Sequence, residues 1–139
     1  MNMDKILDMA IEKDASDVHL ICGNKPMLRI SRELIPIEEM DVLEPEDMNE
    51  MYDYLVKGNV EKDELFNTTR KLDTSYEYKG IRLRVNISLS DDIPLCTLRL
   101  IKNTLPPYES LGLPDIIRRM TYQPQGLILV TGKTNSGKS

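Results

Sequence analysis

Residues 72–101 carry the pattern that most restricts how this chain can fold. Leu72, Thr74, Tyr76 and Tyr78 alternate with polar residues, and Lys79-Gly80 turns the chain. Ile81, Leu83, Val85, Ile87 and Leu89 then alternate strictly with Arg82, Arg84, Asn86, Ser88 and Ser90. Successive side chains of a strand point to opposite faces, so a period-two run makes one apolar and one polar face. That is how antiparallel strands read when one side packs on a core and the other meets water. After Asp91-Asp92-Ile93-Pro94, a further strand is expected from Leu95 to Ile101. It places Cys96, Leu98 and Leu100 on one side, Thr97 and Arg99 on the other. If these two strands pair as a hairpin, Arg82, Arg84 and Arg99 share the polar face.

The flanking segments predict helices and shorter strands. Met3, Ile6, Leu7, Ala10 and Ile11 recur at helical spacing, giving an amphipathic helix over residues 2–14. Val18, Leu20 and Cys22 alternate with His19 and Ile21 as a strand, and Gly23-Asn24-Lys25-Pro26 is a turn. A second strand is expected at 27–31 and a third at 34–37, with Pro36 placing the third near an edge. Pro45-Glu46-Asp47 suits a helix first turn, where proline fits and acids meet the positive end of the dipole. That helix is read to Val56, and a short one follows over 60–66. Asn103 to Pro107 reads as a stiff linker, 113–120 as a short helix, and Leu127-Ile128-Leu129-Val130 as a strand covered on both faces of a parallel sheet.

Composition and charge narrow the function. The 139 residues, 40% apolar and 29% charged, are ordinary for about one globular domain. No apolar run approaches the ~20 residues that span a bilayer, and no secretory leader is visible, so neither membrane insertion nor export is expected. Cys22 and Cys96 are far apart and read as reduced thiols; with one histidine they make no ordinary zinc site. Residues 1–78 hold 9 basic and 19 acidic side chains, whereas residues 79–139 hold 9 and 4. The acidic front half argues against nucleic-acid binding, and the basic back half suits a compact anion. Glu38 to Glu50, with seven acids and no base, reads as a solvated helix face, and Met40, Met48 and Met51 as core fillers. His19 reads as a packed or hydrogen-bonded strand residue rather than a base.

The chain closes on a chemical motif. Gly132-Lys133-Thr134-Asn135-Ser136-Gly137-Lys138-Ser139 fits G-x-x-x-x-G-K-[ST], the P-loop pattern. Glycines let main-chain N–H groups approach phosphate oxygens. Lys138 would reach the β- and γ-phosphates as a compact cation, and Ser139 would offer its hydroxyl to Mg²⁺. Chance produces this pattern in about 0.5% of chains this long, and here an apolar run leads straight into it.

With these residues in view, the sequence resembles the type II secretion and type IV pilus ATPases. Leu127 through Ser139 looks like their Walker A strand and loop. Ala15-Ser16-Asp17-Val18-His19-Leu20 matches their A-S-D-[LV]-H-L signature, and Arg82-Leu83-Arg84-Val85-Asn86 their R-F-R-V-N strand. Leu98-Arg99-Leu100-Ile101 sits at their F-R-x-I, and Leu111-Gly112-Leu113-Pro114 resembles their L-G-[LM]-P. The matches run in order along nearly the whole chain. A helix directly before the A-S-D motif makes the layout most like the pilus-retraction branch.

The resemblance implies an α+β architecture. A PAS-like N-terminal domain, an antiparallel sheet flanked by helices, would occupy 1–103. A linker would span 104–112, and the opening of a RecA-like ATPase core 113–139, cut after Walker A. It implies a homohexameric, cytoplasmic motor on the inner face of the cell membrane, coupling ATP hydrolysis to pilus retraction through an inner-membrane platform protein. ATP and Mg²⁺ are the implied cofactors, and Arg84 and Arg99 match family arginines that approach the nucleotide phosphates. Guanidinium groups suit that role, being always charged and fork-shaped. No catalytic base is expected within these residues; a glutamate further along the full-length protein would take that part, and the fragment alone is expected to be inactive. Where the family often has another arginine, this chain has Asp92, which is expected to repel phosphate. Lys133 and Asn135 replace a common Pro and Gly in the loop. Two other readings stay open: an extension or secretion motor of the same family, and a non-catalytic PAS-like interaction module.

Overall fold

In the computed structural model, which describes residues 1–56, 58–101 and 107–132, the chain divides into two units, Met1–Asn103 and Thr104–Ser139. The first runs α1 (Met3–Glu12), β1 (Asp17–Leu20), β2 (Met27–Ile30), β3 (Glu33–Pro36), α2 (Pro45–Val56), α3 (Val60–Thr69), β4 (Lys71–Tyr78), β5 (Ile81–Ser90) and β6 (Ile93–Ile101). Its six strands form one sheet in the order β3-β2-β1-β6-β5-β4, and every neighbouring pair is antiparallel. The mixed α and β content and the antiparallel sheet agree with the sequence reading.

Local chemistry accounts for the elements. Two-residue turns at Ser31-Arg32, Lys79-Gly80 and Asp91-Asp92 join β2–β3, β4–β5 and β5–β6, and all six turn residues have positive φ. Such turns twist in the sense of the strands they connect, which sets each hairpin's register. Asn2 caps α1 by accepting from the Lys5 N–H at 3.0 Å, and Asn59 caps α3 by accepting from Lys62 at 3.0 Å. At α2, Asp47 Oδ2 reaches back to accept the Glu44 N–H at 2.9 Å. α3 runs past its expected end at Phe66 to Thr69, stopping where Arg70 turns left-handed. β6 starts two residues earlier than expected, at Ile93, and takes in Pro94. β1 pairs only with Cys96–Arg99, so the Pro94 end has a single strand neighbour and its missing N–H is tolerated. β3 is an edge strand, as Pro36 suggested.

One face of the sheet is the core face. Val18, Leu28, Leu72, Leu83, Val85, Ile87, Cys96 and Leu98 are buried with Ile6, Leu7 and Ala10 of α1, Met48 and Met51 of α2 and Phe66 of α3. Burying each large aliphatic side chain stabilises the fold by about 1.5–3 kcal/mol. α1 is also tied down by polar contacts, with Tyr54 Oη donating to Asp4 at 2.5 Å and Tyr78 Oη to Asp8 at 3.1 Å. The opposite face carries the polar half of each alternating strand.

The second unit holds a 3-10 turn, Tyr108–Leu111, and a short helix α4, Asp115–Met120. The turn falls in the span read as linker, and residues 103–106 of that reading lie outside the described residues. Tyr108 Oη donates to the Pro114 carbonyl at 2.9 Å, fixing the bend between turn and helix. The strand expected at Leu127–Val130 is not formed: these residues have no regular structure and are exposed. A strand exists only through the hydrogen bonds of a neighbour. Among the described residues this unit has no other strand, so the apolar run is left open to water.

Candidate functional site

Register assembles the polar face into rows. Pairing of β2 with β1, β1 with β6, β6 with β5 and β5 with β4 aligns Arg29, Asp17, Arg99, Arg84 and Ser75 across five strands. The next row on the same face is Met27, His19, Thr97, Asn86 and Asp73. Arg84 and Arg99, expected on one face from alternation, are therefore direct cross-strand partners. Two like charges opposite one another repel, so the row needs carboxylates.

Two carboxylates provide them in different ways. Asp17 is buried, its side chain only 5% exposed. Its Oδ1 accepts from Arg99 Nε at 2.9 Å, and its Oδ2 lies 3.5 Å from Arg29 Nε and accepts from Ser16 Oγ at 2.9 Å. A buried carboxylate is tolerable only when surrounded by donors in this way. Asp73 is 50% exposed and takes both ends of one guanidinium, with Arg84 Nε donating to Oδ1 at 3.1 Å and Arg84 NH2 to Oδ2 at 2.7 Å. The Arg84 hydrogen bonds hold the Asp73 carboxyl below its ordinary range.

His19 completes the network. Its Nε2 lies 3.4 Å from Arg29 NH2 and its Nδ1 3.4 Å from Thr97 Oγ1. An arginine only donates, so Nε2 accepts and Nδ1 carries the proton toward Thr97. Burial lowers the imidazole's proton affinity first, and the Arg29 charge lowers it further. His19 is thus a neutral, hydrogen-bonded strand residue, as read from the sequence, and not a free base.

The arginines border two hollows. One, of about 190 Å³, is lined by Asp17, Asp73, Arg84, Asn86, Thr97 and Arg99. The other, of about 300 Å³, is lined by Asp73, Thr74, Ser75, Arg82, Arg84 and Ile101. The first is smaller than the ~300 Å³ at which small-molecule sites begin, so it has room for one small group and not for a whole nucleotide. A further hollow of about 240 Å³, between α2 and α3, is lined by Asp53 and Asp63 and is unsuited to an anion. Fixed cations with hydroxyl and amide donors bind and orient anions; they supply no nucleophile. Among the described residues no group of His, Cys, Asp and Glu is arranged to hold a metal, and no helix is long and apolar enough to cross a membrane.

Asp92 does not act beside this row. It lies in the β5–β6 turn, beyond six residues of β5 from Arg84, and pairs with Arg70. At ~3.4 Å per strand residue that is about 20 Å along the strand, beyond the ~8 Å screening length of physiological salt. Of the P-loop, Gly132 is described and exposed, and Lys133 to Ser139 lie outside the described residues. Sequence reasoning placed Arg84 and Arg99 and missed both counter-ions. Asp73 was within reach: the Lys79-Gly80 turn sets it diagonal to Arg84.

Comparison with known proteins bears on the whole chain. No protein-family model matches it. The type IV pilus retraction ATPase PilT of Pseudomonas aeruginosa is 31% identical over 140 residues, taking in 100% of this chain and 40% of that protein. The type IV pilus ATPase PilU of the same organism is 26% identical over 140 residues, with 100% and 36% covered. Among solved structures, the pilus retraction motor PilT with bound ADP superposes with a TM-score of 0.84 at 30% identity, covering 99% of this chain and 40% of that one. The Legionella pneumophila ATPase DotB does so with a TM-score of 0.80 at 26% identity, covering 98% and 38%. The chain therefore spans about two fifths of the length of the relatives it matches. By sequence and by fold, over almost its whole length, it is similar to about two fifths of the pilus ATPase PilT and of the ATPase DotB.

Proposed function

We propose that this chain is the N-terminal, nucleotide-engaging part of a motor ATPase that drives type IV pilus retraction. In this reading the Met1–Asn103 unit is a PAS-like domain, and residues from 113 onward open a RecA-like core. Gly132 to Ser139 cradle the triphosphate of ATP, with Lys138 at the β- and γ-phosphates and Ser139 on Mg²⁺ through the nucleotide. In the assembled ring, Arg84 and Arg99 meet the phosphates. Their work is electrostatic: preorganised guanidiniums placed where charge develops cost no reorganisation during reaction. The base that activates water is assigned to a glutamate elsewhere in the full-length protein. The motor is a cytoplasmic homohexamer that pulls through an inner-membrane platform protein.

The observation that carries this reading is the ordered set of motifs, ending in a P-loop, on a chain related over its whole length to an ADP-binding retraction motor. Lys138→Ala in the full-length protein should abolish ATP turnover and twitching motility together. Unchanged nucleotide affinity and turnover would defeat the ATPase reading. Loss of turnover with pili that still retract would favour the second reading, an extension or secretion motor.

A further inference from the structure

We propose that Asp17 and Asp73 act differently on the two arginines: Asp17 is a positioning residue that keeps Arg99 in place, and Asp73 is an exchangeable counter-ion that an arriving phosphate displaces from Arg84. This rests on the nucleotide reading above and deepens it.

The asymmetry lies in how each carboxylate is held. Asp17 sits on β1, which is paired on both sides, by β2 and by β6. Its side chain is closed from water and engages Arg99, Arg29 and Ser16 together. To turn away from Arg99 into water, Asp17 would have to give up Arg29 and Ser16 as well. Asp73 sits on β4, an edge strand, half-exposed, with its carboxylate on Arg84. Leaving Arg84 returns it to water at little cost.

The guanidinium geometry points the same way. Asp17 engages Arg99 through Nε. A guanidinium has five N–H donors in a fixed fork, so a bond at Nε is compatible with a second acceptor on the terminal nitrogens. Asp73 takes Arg84 by Nε and NH2 together, the bidentate grip a phosphate would need. Both carboxylates line the 190 Å³ hollow with Arg84, Arg99, Thr97 and Asn86. A phosphate entering it meets the charge of Asp73, so one of the two anions must yield, and the exposed one does. Three guanidiniums, Arg29, Arg84 and Arg99, against two carboxylates leave one positive charge in excess. The second appears when Asp73 swings away.

Steady-state ATP hydrolysis by the full-length protein tests this. Asp73→Asn removes the competitor and should lower the KM for ATP about two- to fivefold, the span expected of an exposed ion pair. Asp17→Asn loosens Arg99 and should raise KM about tenfold, part of the ~100-fold that a misplacement on the order of 1 Å can cost. In an Arg99→Ala background, Asp17→Asn should add almost nothing, because its effect passes through Arg99. A purely structural aspartate would instead add its full loss there, and that result overturns the positioning role. A KM for Asp73→Asn that is unchanged or raised overturns the exchange. Should Asp17→Asn fail to fold, this second arm decides alone, since Asp73 is exposed on an edge strand. If Arg84→Ala and Arg99→Ala both keep the wild-type KM and kcat, the nucleotide reading fails, and the proposal falls with it.

Discussion

Replacing Asp17 by alanine tests whether the buried carboxylate stabilises the sheet or is merely accommodated. The substitution removes the ion pairs to Arg99 and Arg29 and the hydrogen bond from Ser16. Breaking a fully buried pair costs about 3–5 kcal/mol, because the surviving charge is left without solvent. Here the survivors are not sealed: Arg99 is 64% and Arg29 35% exposed, so both regain water. The native state is also relieved of one desolvated carboxylate. These offsets bring the expected cost down to about 1–3 kcal/mol, the worth of hydrogen bonds to a charged group. The chain has no Trp and six Tyr, so far-UV circular dichroism in a urea titration is the suitable assay. The native His19 titration, followed by NMR, gives a second readout. The Asp17 charge raises the imidazole's proton affinity against burial and Arg29, so its loss should lower that affinity further. A midpoint equal to or above wild type, at unchanged slope, would refute the claim that this network stabilises the fold.

Other outcomes follow from the core, the turns and the titrating groups. Leu98→Ala, at a fully buried position flanked by buried Val18 and Val85, should cost about 3–4 kcal/mol, whereas Leu34→Ala on edge strand β3 should cost under about 1 kcal/mol. Urea midpoints of the two variants check the contrast. Gly80→Ala meets no atom within 4 Å of the new Cβ, yet sits at φ +77° in a turn that needs left-handed residues. It should cost about 1 kcal/mol by strain alone, read as a lower melting temperature with an unchanged circular dichroism spectrum. The depressed proton affinity of His19 makes the unfolded chain bind more protons just below pH 6.5. Stability should therefore fall as pH drops from about 6.5 through the lower native value, and His19→Gln should flatten that slope. Equal slopes in the two proteins would place the effect elsewhere. At the alkaline end, Glu50 and then Asp47 raise the proton affinity of the Met1 ammonium above its usual 8.0. Their contribution is complete below pH 8 and is lost as pH rises through the raised value, so N-terminal acetylation should remove this limb.

Local patterns in the chain were enough to place the hairpin that carries Arg84 and Arg99. Strict alternation assigns each residue of β5 to a face; with Asp91 to Pro94 read as the connection the exact register stays open, and only the two-residue turn seen at Asp91-Asp92 sets Arg84 opposite Arg99. Pro45 marks the start of α2 in the same local way. Leu127–Val130 shows where such patterning stops. An apolar run states that a strand would be buried if it had neighbours, and the neighbours are a property of the rest of the fold.

The identity of the arginines, their shared face and the P-loop spacing were all written in the order of residues, since each depends on near neighbours along the chain. What joins Arg99 to Asp17, 82 positions earlier, is the pairing of β1 with β6, and that pairing is decided by the core beneath them. Val18 and Leu98 pack on the covered face, and alternation then brings Asp17 and Arg99 together on the open one. A carboxylate in a strand pattern reads as solvent-facing until the strands beside it are known. Only the assembled sheet buries Asp17 and leaves Asp73 at the edge, because burial is set by what lies across the strands, not along them.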